Sequence, residues 1–304
     1  MDRKKDYHIN QYLFDRMLRL WSVALPALFL GAVLDFFGRS IHPETYSSIF
    51  SSNYAGLKFL ISGFFVHESW FFSIRPGTNG PFWSLSYEFF YYIIFGAITL
   101  LPNLKTKLFG GLAFCVIAGP KILILFPCWL VGCASYWGCK KLRPNALISL
   151  ALLASSGFFL FSTFASRWAS WFPTSYPGLG VHPLFYSAKY LDDYTIALSL
   201  GILLFSLSRW FSLDNKPSGL FSGLIRNCSK CSFSLYAIHF PMMAFLNAIW
   251  ASGLVQDISH LQATFGILLS CAVFALLFEF PLQKYRKMVL YTFPFLSKKC
   301  GIHS

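Results

Sequence analysis

The sequence predicts an all-α polytopic membrane protein of about eight transmembrane helices with both termini cytoplasmic, and three observations carry that prediction. The 304 residues are 56% hydrophobic and only 12% charged, against roughly 25% charged in soluble domains. Apolar runs recur along the chain, and about 20 such residues cross a bilayer. The Lys and Arg residues crowd into alternate connecting segments, which is where short cytoplasmic loops place them.

In order, the runs cover 18–37, 82–101, 107–120, 122–139, 145–165, 190–209, 229–250 and 261–281. The third and fourth are parted only by Gly119, Pro120 and Lys121, so a single broken helix is the alternative there. Charge decides between them. With eight spans the inner segments hold 19 of the 25 basic residues, leaving Arg39, Lys58, Arg75, Lys121, Arg167 and Lys189 outside; seven spans would put the later basic clusters on the wrong side.

The chain is expected to form one membrane-embedded domain over 1–304, with a basic cytoplasmic lead over 1–17 and two long outer segments, 38–81 and 166–189. Within the first, Leu57 to Phe72 is slightly short to span and carries Lys58, His67 and Glu68 near its ends. It reads as an interfacial or re-entrant helix, or as a ninth span at the expense of the charge alternation. A charged start and an unbroken first run predict no cleavable secretory signal.

The net charge of +13 is spread over many loops, which fits the positive-inside bias, so nucleic acid is not an expected partner and membrane lipid is. Cys228 and Cys231 form one CxxC, with no second pair of ligands at zinc spacing. No metal is expected, and Cys115, Cys128, Cys133, Cys139 and Cys271, in or beside apolar runs, read as buried thiols.

Polar residues inside the runs are more informative, since each is costly in lipid. In FWSLSYEFFYY, Ser84, Glu88 and Tyr91 stand at i, i+4 and i+7 and share one helix face. Ser232, Tyr236 and His239 repeat that spacing in the run 229–250, followed by Pro241, which frees a backbone carbonyl. Hydrogen bonding between helices would account for the serines and tyrosines. A glutamate and a histidine suggest a shared cavity in which His239 moves a proton and Glu88 orients or stabilises it.

These residues also resemble a family. FWSLSYEFFYY is similar to the Trp-Ser/Thr-Leu-x-x-Glu signature of the integral-membrane acyltransferase 3 family, with Trp83, Ser84 and Glu88 in register. CSFSLYAIHFP resembles its Ser-Tyr-x-x-Tyr-x-x-His-x-Pro segment, and LLFEFPLQKYR its closing Glu-x-Pro with basic residues. FDRMLRLWSVALP resembles the Arg-x-x-Arg start of its third helix, with Ser22 where a proline is usual. The four motifs keep the family's order across nearly the whole chain.

The resemblance implies an O-acyltransferase of the bacterial inner (cytoplasmic) membrane. It would move an acyl group, usually acetyl, from acyl-coenzyme A (acetyl-CoA as the usual donor) to a hydroxyl of a cell-envelope carbohydrate. Glu88 and His239 would be catalytic, while Arg16, Arg19, Trp83, Ser84 and Tyr236 would bind substrate. Arg16 and Arg19, one turn apart, suit the phosphates of the donor; topology anchoring beside Asp15 is the plainer alternative. The family's usual catalytic His lies two helices before the Arg-x-x-Arg motif. Only 15 residues precede Arg16 here, so that His is expected to be missing and the chain to be inactive alone, with His67 or His239 as substitutes. The second reading is a non-catalytic membrane protein that binds or translocates a glycan lipid.

Overall fold

The computed structural model describes residues 8–47, 49–51, 53–142, 144–166, 183–210, 223, 225, 227–229, 231–255 and 259–294, without the side chains of 163–166. The start of the basic lead, most of the outer segment 166–189, and Lys216, Lys298 and Lys299 therefore lie outside the described residues.

Every predicted run falls on a helix. The long helices are α1 (Ile9–Ile41), α4 (Trp83–Leu100), α5 (Leu104–Ala118), α6 (Pro120–Lys141), α7 (Ala146–Ser166), α8 (Tyr190–Leu207), α9 (Ser232–Ala251) and α10 (His260–Phe278). Shorter pieces are α2 (Pro43–Tyr46), α3 (Ala55–Gly63) and α11 (Leu282–Thr292). No strand occurs among the described residues. The stretches Ile9–Ile41, Pro120–Lys141, Tyr190–Leu207, Ser232–Ala251 and His260–Thr292 are long and apolar enough to cross a membrane. The protein is all-α and of membrane type.

The third and fourth runs are separate helices. Gly119 between them has φ +84°, and a Cβ there would come within 2.6 Å of the Trp70 Cα, so neither the backbone nor the space admits a larger residue. Among the described residues of the outer segment 38–81, helix is confined to the end of α1, to α2 and α3, and to the 3-10 turn that starts at Gly80. At about 1.5 Å per residue, the nine residues of α3 reach less than half of a ~30 Å hydrocarbon core. Beyond it the chain turns at Phe65, whose φ is +58°, and is held by side chains instead of helical bonds: Ser86 Oγ donates to the Phe65 carbonyl at 2.6 Å and the His67 ring to that of Phe82 at 3.2 Å.

Contacts divide the chain into two compact units, 1–68 with 72–116 and 220–304, and 69–71 with 117–219. In the first, Val23 and Ala27 of α1 pack against Ala237 and Ile238 of α9 and Cys271 and Phe274 of α10. Small residues on both sides let the helices approach closely; Gly31 lies against the Pro241 ring. Arg286 of α11 donates to Asp15 of α1 at 3.0 Å. In the second unit α6, α7 and α8 pack together, and Gly201 of α8 meets Val131 and Ser135 of α6 so closely that a Cβ would not fit.

Candidate active site

Within the first unit, a cavity of about 290 Å³ opens between three helices. It is lined by Arg19 and Leu20 of α1, Ser84, Leu85 and Glu88 of α4, and Ser232, Phe233 and Tyr236 of α9. Two faces expected from i, i+4 spacing thus meet: Ser84 with Glu88 and Ser232 with Tyr236 flank one space. Arg19 supplies a positive charge to the same wall.

Glu88 obtains its compensation locally. Its Oε1 accepts a hydrogen bond from the Tyr92 hydroxyl, one turn further along α4. Tyr92 also offers its ring to Arg16, whose guanidinium lies 5.2 Å from that centroid and 5.4 Å from the Tyr12 centroid. Arg16 is therefore clamped between two aromatic faces, a favourable place for a delocalised cation, and is not among the cavity-lining residues. The expected arginine pair is divided, with Arg19 on the cavity and Arg16 behind the tyrosine that holds Glu88. Asp15, the neighbour invoked for simple anchoring, is bonded to Arg286.

Trp83 and His239 are also outside the cavity lining. The Trp83 ring stands edge-on to Tyr87, 4.9 Å between centroids. His239 turns back on its own helix, where Nδ1 lies 2.9 Å from the Leu235 carbonyl and 3.0 Å from that of Tyr236. Carbonyls only accept, so Nδ1 carries a proton directed at them. By the same logic His67 is protonated on Nε2, facing the Phe82 carbonyl. His67 is fully buried and not in the cavity wall. Tyr236 gives its hydroxyl hydrogen to the Pro81 carbonyl at 2.5 Å, leaving only its lone pairs to a ligand.

The segment leading into α4 is secured by residues with no role in the sequence reading. Asp35 of α1, 2% exposed, accepts from the Thr78 backbone at 2.9 Å and from its hydroxyl at 2.6 Å. Gly77 next to it has φ +58°, and a Cβ there would collide with the Asp35 carboxylate. At the start of α9, Glu279 accepts from the Ser234 N–H and hydroxyl. Signals for two of these were present: Asp35 is an intramembrane carboxylate in an apolar run, and Tyr92 stands at i+4 from Glu88, the spacing of neighbours on a helix. Tyr91, the residue placed on the Glu88 stripe, packs its ring edge-on against Tyr87.

No group of three or more His, Cys, Asp or Glu residues is placed to hold a metal ion among the described residues. What the site offers is a small chamber of mixed lining, in which one arginine, one carboxylate and hydroxyls stand among Leu20, Leu85 and Phe233. The family described as an acyltransferase domain, Acyl_transf_3, matches residues 1–282 of the chain. Neither a curated protein nor a solved structure matches it.

Proposed function

The chain belongs to the acyltransferase 3 family of integral-membrane acyltransferases, and on that premise we propose that it is an O-acyltransferase of the bacterial cytoplasmic membrane. It takes an acyl group, acetyl in the simplest case, from acyl-coenzyme A and delivers it to a hydroxyl of a cell-envelope carbohydrate. The observation that carries this reading is the meeting of Arg19, Ser84, Glu88 and Tyr236 around one cavity.

In the reaction, the acceptor oxygen attacks the thioester carbonyl carbon, the carbon–sulfur bond breaks, and an ester and a thiol result. The hydroxyl proton must leave as the new bond forms and ends on the thiolate. Glu88 is the carboxylate on the cavity wall, and Tyr92 fixes its orientation. His239, one turn beyond Tyr236 on α9, stands outside the lining and takes no part in this step. Arg19 pairs with a donor phosphate, where a guanidinium forms charge-assisted hydrogen bonds. At about 290 Å³ the cavity suits the thioester end and one acceptor hydroxyl, at the small end of ligand pockets, roughly 300–1,000 Å³.

The test uses membranes from cells carrying the gene at its native locus, supplied with labelled acetyl-coenzyme A and envelope carbohydrate. Glu88→Gln is expected to cut transfer by about 10²- to 10⁴-fold, the range for a general base, with membrane insertion unchanged. Arg19→Ala is expected to raise the KM for the thioester. Full transfer by Glu88→Gln would refute the assignment. Binding of a glycan lipid without transfer by the unaltered protein would favour the non-catalytic reading instead.

A further inference from the structure

Pro241 lies inside α9 and has no N–H, so the Ala237 carbonyl four residues earlier loses its helical donor. That carbonyl is not left to lipid. Asn79 Nδ2, from the loop before α4, donates to it at 2.8 Å. Both residues are buried, Asn79 at 3% and Ala237 at 1% exposure. The amide orientation is fixed, because Oδ1 in its place would put two acceptors face to face.

The bond joins two parts of the cavity wall. Asn79 immediately precedes the 3-10 turn Gly80–Phe82 that runs into α4, five residues before the cavity-lining Ser84. Ala237 follows the cavity-lining Tyr236. The Tyr236 hydroxyl on the Pro81 carbonyl is a second fastening between the same elements, and Asp35 on Thr78 holds the loop from α1. We propose that Asn79 is a positioning residue: by replacing the N–H that Pro241 lacks, it clasps the lead of α4 to α9 and sets the face that carries Ser84 and Glu88 opposite Ser232 and Tyr236. A proline in place of any other residue at 241 is what makes the carbonyl available to this clasp. The effect on turnover rests on the acyl-transfer reading; the clasp itself does not.

Three quantities measured on the full protein purified from its native membrane test the inference. They are the thermal midpoint, amide hydrogen exchange over 80–88, and the rate of acyl transfer from acetyl-coenzyme A. Asn79→Leu is expected to lower the midpoint by several degrees and speed exchange in the first turn of α4. It should also lower kcat by roughly 100-fold, the penalty of about 1 Å of misplacement, with the KM for the thioester nearly unchanged. Adding Pro241→Ala supplies the missing N–H within α9. The double variant should regain the midpoint while exchange stays fast and kcat stays low, since the carbonyl is satisfied but the clasp is gone.

Recovery of all three quantities would reduce Asn79 to a partner for a stray carbonyl and overturn the positioning role, as would unchanged exchange in Asn79→Leu. If Asn79→Leu yields no folded protein, folded double variant with fast exchange supports the inference, and failure of the double variant to fold overturns it. Absence of transfer by the unaltered protein would count against the proposed function alone, because midpoint and exchange still decide the clasp.

Discussion

Glu279, at the end of α10, accepts two hydrogen bonds from Ser234 in the first turn of α9: 3.0 Å from its backbone N–H and 2.6 Å from its hydroxyl. The first N–H groups of a helix have no partner within it, and a carboxylate there also meets the positive end of the helix dipole. Two segments that resemble family motifs, CSFSLYAIHFP and LLFEFPLQKYR, are thereby joined as cap and helix.

Glu279→Ala should therefore destabilise the protein by about 1–3 kcal/mol, the cost of an unsatisfied buried donor. Ser234→Ala should cost less, because its backbone N–H keeps the carboxylate. Thermal unfolding in detergent, followed by size-exclusion fluorescence, ranks the two. Equal midpoints for Glu279→Ala and the unaltered protein would rule out the cap.

Gly77→Ala is expected to be poorly tolerated, since both its positive φ and the Asp35 carboxylate exclude a Cβ. Gly132, inside α6, has nothing within 4 Å of a built Cβ, so Gly132→Ala should be neutral or slightly stabilising, given about 0.5–1 kcal/mol of helix preference for Ala. Yields of folded membrane-extracted protein would separate them; equal yields would contradict the close fit at Gly77.

Tyr92→Phe removes the donor to Glu88 but keeps the ring on which Arg16 rests. Transfer should fall while thermal stability changes little. Arg16→Lys exchanges a planar cation stacked between two rings for a point charge and should lower stability more than Tyr92→Phe does. The comparison needs only midpoints and initial rates, and the reverse ranking of midpoints would overturn the structural role given to Arg16.

Sidedness is tested by reporter fusions after Leu254 and after Ser304. The basic-residue distribution expects the first outside and the second inside, with the N-terminus cytoplasmic. Fusions reporting the same side would exclude eight spans.

Helix placement was legible because apolar runs and basic loops are local properties of the chain, and each run has its helix. The stripe of Ser84 and Glu88 and that of Ser232 and Tyr236 were legible too, since spacing alone puts such residues on one face. Spacing does not say how a side chain satisfies itself. His239 shares the face of Tyr236 in principle, yet its Nδ1 takes the carbonyls of its own helix, and the cavity ends before it. Asp35 with Thr78 is a pair 43 positions apart, and Asn79 with Ala237 is 158 apart; neither has a periodic signature. The stretch from Leu57 to Phe72 reads as one interfacial or re-entrant helix, but the helix ends at Gly63, and the Phe65 carbonyl beyond it is taken by the Ser86 hydroxyl from 21 positions away.

The division of the chain has a consequence for its biosynthesis. Residues 117–219 form a unit of their own between two portions of the first unit, so Glu88 is made long before Ser232 and Tyr236. Roughly 140 residues separate them, about 10 s of translation at 5–20 residues per second. Through that interval α4 sits in the translocation machinery or the bilayer with Tyr92 able to bond Glu88 but with no α9 to close the wall. Pro81 and Asn79 likewise wait for Tyr236 and the Ala237 carbonyl. Arg286 of α11 comes later still, so its bond to Asp15 of α1 forms only after α9 and α10 have been made.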